Sequence, residues 1–138
     1  MVEDNRADVF LIRESIEAAC TGATLFVVQD GERAIRFFEE ADRDPSAPSP
    51  DIVILDINLP KKSGAEVLSR MRLSQRCAHA PILIVTSSNS EKDRETMALL
   101  GVNGYFRKPS VYEEFMKLGG LVKGMLEVQS ASRRSSRP

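Results

Sequence analysis

The sequence predicts an α/β domain in which helices cover both faces of a parallel sheet. Two observations lead to this prediction. Short apolar runs alternate with segments whose apolar residues recur at helical spacing, which is typical of repeated βαβ units. Two of the runs, 52–55 and 82–86, are apolar throughout except for a final threonine. Such runs are expected for strands that are buried on both sides.

The first elements follow from local patterns. Apolar residues from Val9 to Ala19 recur on one helical face within 7–20, and Thr24 to Val28 forms an apolar, β-branched run of strand type. Asp30 is placed to cap a second helix that starts near Gly31. A proline-rich loop then leads into the strand at 52–55.

The remaining elements continue the alternation. The pattern predicts a third helix marked by Val67, Leu68 and Met71, a strand over 82–86, a fourth helix over about 91–100, a strand over 102–107 and a final helix over 111–129.

Length and charge set the domain organisation. The 138 residues fit one domain, which we assign to 1–129, and we predict a disordered basic tail over 130–138. The three arginines of this tail account for +3 of a net charge of −1, so the domain itself is mildly acidic. No nucleic-acid partner is therefore expected. The charged N-terminus and the lack of a bilayer-length apolar run predict a cytoplasmic protein without a membrane partner.

Polar side chains follow the predicted strands at their carboxyl ends, where parallel sheets bind ligands. They are Glu3 and Asp4 after a stub at Met1 and Val2, then Asp56, Thr86 and Lys108. Crowded carboxylates repel one another unless a cation compensates them, and Mg²⁺ prefers such oxygen ligands. Asp56 can then attack phosphorus as a nucleophile, while Mg²⁺ and Lys108 neutralise the phosphate oxygens.

These residues resemble the response-regulator receiver family. The resemblance is carried by EDN at 3–5, LDINLP at 55–60 followed by Gly64, Thr86 with Ser87, and Lys108 with Pro109, and it covers almost the whole chain. It implies a flavodoxin-like, doubly wound, five-stranded parallel sheet of order 2-1-3-4-5. It also implies a stand-alone regulator of a two-component phosphorelay, which accepts a phosphoryl group from a histidine kinase. Such a protein is a signalling receiver with slow autodephosphorylation rather than an enzyme.

The resemblance also assigns roles to individual residues. Asp56 looks like the phosphoacceptor. Asp4 is similar to a direct Mg²⁺ ligand, Glu3 to a ligand through water, and the main-chain carbonyl of Asn58 to a third protein ligand. The other roles are the switch pair Thr86 and Tyr105, the rate-tuning positions Asn58 and Ser88, and Lys108, which in the family precedes a proline typically joined by a cis peptide.

Two segments, 42–68 and 102–109, look most like the phytochrome-associated branch of this family. That resemblance implies a phytochrome-type histidine kinase as the phosphoryl donor. It also implies a homodimer formed through the fourth helix, the fifth strand and the fifth helix.

One departure concerns the first strand. Receivers carry about five apolar residues before the acidic pair, but only Met1 and Val2 stand there in this sequence. We therefore expect a truncated first strand, with either a natural start upstream of Met1 or a partner chain that fills the gap.

Two alternatives stay open. The first is a small Mg²⁺-dependent phosphatase with an aspartate nucleophile, although such enzymes carry a second Asp where this chain has Asn58. The second is a receiver fragment of a hybrid kinase.

Overall fold

The computed structural model describes residues 1–20 and 22–135, with only the backbone for 132–135. In chain order the elements are α1 (Arg6–Ala19), α2 (Gly31–Arg43), β1 (Val53–Leu55), α3 (Gly64–Met71), β2 (Ile82–Thr86), α4 (Glu91–Leu99), β3 (Gly104–Arg107), α5 (Tyr112–Phe115) and α6 (Lys117–Ser135). Among the described residues, no helix is both long and apolar enough to cross a membrane.

The strands form a parallel sheet of order β1-β2-β3. Ile84 on the central strand lies opposite Leu55 on one side and Tyr105 on the other. Beyond β1, Val2 forms isolated parallel bridges with both Leu55 and Val28. The parallel sheet predicted from the sequence is thus confirmed for three strands, while the first strand is reduced to one bridging residue.

The prediction of a strand over Thr24 to Val28 is wrong for most of this segment. Within this segment only Val28 forms a parallel bridge. Its partner is Val2, the one residue of the adjacent N-terminal segment that pairs with it. The ammonium group of Met1 donates a hydrogen bond to the Phe26 carbonyl at 2.7 Å. Burial lowers the pKa of this ammonium to about 6. A cavity of about 380 Å³ lies beside it, between 22–28 and 49–54.

Helices pack against both faces of the sheet, as the sequence predicts. Leu55 and Ile84 point into a core with buried residues of α2, α3 and α4, among them Phe38 and Leu68. Ile54, Leu83 and Val85 point to the other face and pack with Ile12 and Ile16 of α1 and with Leu118 and Val122 of α6. Successive strand residues alternate between these two cores, because side chains in a strand point alternately to opposite faces.

The final helix, predicted as one element over 111–129, is divided into α5 and α6 at Met116. The cause lies on α1, where the buried Ser15 hydroxyl donates to the Met116 carbonyl at 2.9 Å. The same hydroxyl accepts the Gly119 amide at 2.7 Å. A side chain that inserts into the helical hydrogen-bond ladder in this way interrupts a helix.

Helix α6 also extends beyond residue 129, where the sequence predicts a disordered tail. Residues 130–135 belong to α6, and 136–138 lie outside the described residues. The domain boundary at 129 and the disordered tail stay predictions, although the backbone of 130–135 is helical in the structure.

Replacing Gly119 with alanine should destabilise the domain, because α1 and α6 approach each other closely at this point. An added Cβ would overlap the Ser15 carbonyl oxygen and lie 3.0 Å from the Ala19 Cβ. Overpacking of this kind costs about 1–3 kcal/mol of unfolding free energy, which urea titration can measure. Gly124→Ala in the same helix is the control, since nothing lies within 4 Å of its added Cβ. It should stabilise by up to about 1 kcal/mol. Equal effects of the two substitutions would contradict the proposed packing.

Candidate functional site

The candidate site lies at the carboxyl edge of the sheet, as the sequence predicts. Asp56 follows β1 directly, Thr86 ends β2, Lys108 follows β3, and Glu3 follows the bridging residue Val2. Parallel strands end at one edge, so chain segments that are distant in sequence meet there.

Glu3, Asp4 and Asp56 form a carboxylate cluster. One carboxylate oxygen of each residue lies within 4.8 Å of the others. Glu3 and Asp56 are buried, whereas Asp4 is exposed. Glu3 Oε2 accepts the backbone amides of Asp4 at 3.1 Å and of Asn5 at 3.3 Å, and Asp56 Oδ1 accepts the Asn58 amide at 3.0 Å. The backbone therefore orients the two buried carboxylates and brings Asn58 next to Asp56.

The Lys108 ammonium supplies positive charge to this cluster. Its Nζ lies 2.5 Å from Glu3 Oε1, 2.7 Å from Asp8 Oδ2 and 3.1 Å from Asp56 Oδ2. The side chain is only 8% exposed. The Lys108 amide donates to the Thr86 carbonyl at 2.7 Å, which ties the end of β3 to the end of β2. Lys108 is thus held at the centre of three carboxylates.

The pKa values of Glu3 and Lys108 shift for different reasons. Burial raises the pKa of Glu3 to about 7, with a further increase from the Asp56 charge, although Lys108 opposes the shift. Burial lowers the pKa of Lys108, but hydrogen bonds with Asp8 and Glu3 and the Asp56 charge outweigh this effect, so the net pKa is raised. Lys108 therefore stays protonated, whereas burial makes the deprotonated form of Glu3 less favourable than it is in water.

The donor set fits a divalent cation. Glu3 Oε1 is buried and has no hydrogen-bond partner of good geometry, although it forms the ion pair with Lys108. A buried carboxylate oxygen of this kind is a suitable acceptor for a cation, either directly or through a water ligand. Mg²⁺ in proteins is usually bound by one or two carboxylates together with waters and phosphate. The cluster of three carboxylates can provide these ligands.

Thr86 is completely buried, and its hydroxyl oxygen accepts the Ser88 amide at 3.2 Å. The Ser88 hydroxyl donates to Asp93 Oδ2 at 2.7 Å, while the Tyr105 hydroxyl donates to the Ser88 carbonyl at 3.4 Å. The Arg94 guanidinium lies 5.0 Å from the Tyr105 ring centroid. These contacts connect the end of β2 to α4 and β3. Within the described part of the chain, no hydrogen bond joins Thr86 to Asp56.

Two findings differ from the sequence reasoning. The Lys108–Pro109 peptide is trans, as are the other described peptide bonds, so the implied cis bond is not present. A trans bond is the form that X–Pro peptides prefer by about 0.5–1 kcal/mol. Asp8, which the sequence reasoning did not consider, also reaches Lys108. The only feature of the sequence that could have indicated a role for Asp8 is its position, four residues after Asp4 and in the first turn of a helix.

Comparisons with known proteins agree with this geometry. The family model for the response regulator receiver domain matches residues 1–118. The response regulator Rcp1 of Synechocystis sp. is 30% identical over 118 residues, which are 86% of this chain and 80% of that protein.

Solved structures are similar over nearly the same range. The phosphorylated cyanobacterial phytochrome response regulator RcpA has a TM-score of 0.82 at 30% identity, covering 92% of this chain and 91% of its own. The Mn²⁺-bound form of Rcp1 has a TM-score of 0.80 at 31% identity and covers 91% of each chain. The chain described here therefore belongs to the response regulator receiver family and is a signalling receiver of the two-component type.

Proposed function

We propose that this receiver accepts a phosphoryl group from a histidine kinase onto Asp56, with Mg²⁺, and then changes its interaction surface. The observation that carries the proposal is the contact of the Lys108 ammonium with both Glu3 and Asp56, at 2.5 and 3.1 Å, beside the carboxylate cluster. The support for the proposal is that a carboxylate able to act as nucleophile, an ammonium group and candidate metal ligands lie close together.

The proposed transfer needs little covalent chemistry from the protein. An Asp56 carboxylate oxygen forms a bond to phosphorus as the phosphorus–nitrogen bond of the phosphohistidine breaks. The electron pair of that bond goes to the histidine nitrogen. Lys108 then pairs with the phosphoryl oxygens, and Glu3, Asp4, Asp56 and the Asn58 carbonyl are the proposed Mg²⁺ ligands. Mg²⁺, when bound, neutralises charge on the transferring group.

Phosphorylation is proposed to move Thr86 and Tyr105. An ion pair between the Lys108 ammonium group and a phosphoryl oxygen at about 4 Å would contribute roughly 4 kcal/mol at an effective dielectric near 20. This is sufficient to shift a two-state equilibrium. Ser88 is hydrogen-bonded to both Thr86 and Tyr105, so a displaced Thr86 hydroxyl would disturb the contacts with α4. Asn58 and Ser88 are proposed to set the rate of autodephosphorylation.

The phosphatase alternative predicts different kinetics. It requires an acid–base group two residues after the nucleophile, and Asn58 stands there. Incubation with Mg²⁺ and acetyl phosphate should give one phosphoryl group per chain by intact-mass measurement. Rapid multiple turnover of a phosphomonoester, without a phosphorylated protein, would favour the phosphatase and contradict the receiver proposal.

The proposed donor is a phytochrome-type histidine kinase in the cytoplasm. The support is the similarity to RcpA and to Rcp1 over nearly the whole chain. We also propose the segment order 2-1-3-4-5 for the sheet. Its support is the position of Val2, which bridges Val28 on one side and Leu55 on the other.

We propose a homodimer through α4, β3 and the final helical segment, which the structure divides into α5 and α6. Large apolar side chains are exposed at this face, with Leu99 89% and Val111 52% exposed. Leu99→Asp should therefore shift the protein towards monomer in sedimentation experiments at tens of micromolar. Leu73→Asp, at a residue 78% exposed just after α3, is the matched control and should leave the dimer intact. A wild-type monomer with and without phosphorylation would contradict the proposed dimer.

A further inference from the structure

Asp8 contacts the site from a helix that the proposed function does not use. It lies in the first turn of α1, where its backbone amide donates to the Asn5 side chain at 3.0 Å. Its Oδ2 lies 2.7 Å from Lys108 Nζ, and its side chain is 23% exposed. The cap and the helix backbone therefore hold a carboxylate against the lysine, outside the group formed by Glu3, Asp4 and Asp56.

The Asp8 contact competes with the contact that phosphorylation would need. Lys108 Nζ lies nearer to Asp8, at 2.7 Å, than to Asp56, at 3.1 Å. An acidic side chain in the first turn of a helix is stabilised by the positive end of the helix dipole, which favours the position of Asp8 in α1. A phosphoryl group on Asp56 must therefore compete with the Asp8 carboxylate for the Lys108 ammonium group.

We propose that Asp8 is a positioning residue that holds Lys108 towards α1 in the unphosphorylated protein and so opposes the phosphorylated state. This inference rests on the proposed function of Asp56. In this proposal α1 restrains the phosphorylation switch, because Asp8 on this helix competes with the phosphorylated Asp56 for the Lys108 ammonium group. Weakening the restraint should favour an anion bound at Asp56.

The test uses beryllofluoride, a tetrahedral anion that occupies the place of a phosphoryl group on a carboxylate. Its dissociation constant is measured by calorimetry at saturating Mg²⁺ for the full chain. Asp8→Asn keeps the size of the side chain and removes its charge, and it should bind beryllofluoride about fivefold more tightly, as expected for loss of one partly exposed ion pair. Asp8→Glu restores the charge and should return the affinity towards that of the wild type.

Glu17→Gln is the matched control, since it removes one exposed charge from the same helix, away from the site. The control should change the affinity less than twofold. Thermal unfolding without beryllofluoride shows whether each variant is folded, and a merely structural role of Asp8 would lower stability without tightening binding. Unchanged or weaker binding by Asp8→Asn, or an equal effect of Glu17→Gln, would overturn the inference. If wild-type protein does not bind beryllofluoride, the proposed function fails as well.

Discussion

Asp56→Asn should lose phosphoryl labelling by on the order of 100-fold or more, because an amide lacks the anionic oxygen that attacks phosphorus. The substitution conserves shape, and its carbonyl oxygen can still accept the Asn58 amide, as Asp56 Oδ1 does at 3.0 Å. It also removes one negative charge beside Glu3. The variant should therefore remain folded and inactive. Labelling is measured by intact mass after incubation with Mg²⁺ and acetyl phosphate.

Asp44→Asn is a suitable control for this experiment, since Asp44 is exposed and lies just after α2, away from the cluster. The control should be labelled as fully as wild-type protein. Labelling of Asp56→Asn at the wild-type level would show that another residue accepts the phosphoryl group.

Lys108→Ala should destabilise the metal-free protein by about 3 kcal/mol at pH 8, because removing one partner of a buried ion pair leaves uncompensated charge. Glu3 and Asp56 would then be buried beside each other without the ammonium group. Mg²⁺ should restore much of this stability, since a dication bound to the folded state stabilises it by mass action. Urea unfolding with and without Mg²⁺ measures both effects.

The destabilisation should depend on pH. Burial raises the folded-state pKa of Glu3 from its ordinary 4.5 to about 7 even when Lys108 is present. A carboxyl group with a raised pKa favours the folded state fully below its unfolded pKa, and this contribution is lost as the pH rises through the folded pKa. The cost of Lys108→Ala should therefore be smaller at pH 5 than at pH 8.

Lys117→Ala is the control, because Lys117 pairs with Glu114 at an exposed position. Its effect should stay within about 0.5 kcal/mol at both pH values. A cost of Lys108→Ala that equals the control, or that is the same at pH 5 and pH 8, would contradict the proposed electrostatics of the site.

The position of the site could be predicted from the sequence because it depends on strand ends. Once the runs at 52–55 and 82–86 are assigned to parallel strands, Asp56 and Thr86 must meet at one edge. Lys108 follows from the same rule. The structure brings Glu3, Asp56 and Lys108 together, as predicted, because even Val2 alone is sufficient to hold Glu3 in line with β1.

Other features could not be predicted because they depend on contacts between distant segments. The contact of Asp8 with Lys108 depends on where α1 begins relative to the end of β3, and the interruption at Met116 depends on Ser15, about 100 positions away. The apolar run at 24–28 is typical of a strand, but a strand also needs a partner, and Met1 and Val2 provide little backbone to pair with.

The most direct test of the central claim is to locate the phosphoryl group after transfer from a phosphorylated histidine kinase. Peptide mass spectrometry of the phosphorylated protein should find one phosphoryl group, on Asp56. Hydroxylamine should remove this group, as expected for an acyl phosphate. The group should form only when Mg²⁺ is present. A phosphoryl group on another residue such as His79, or equal transfer after Mg²⁺ is removed, would contradict the assignment of this carboxylate cluster as the acceptor site.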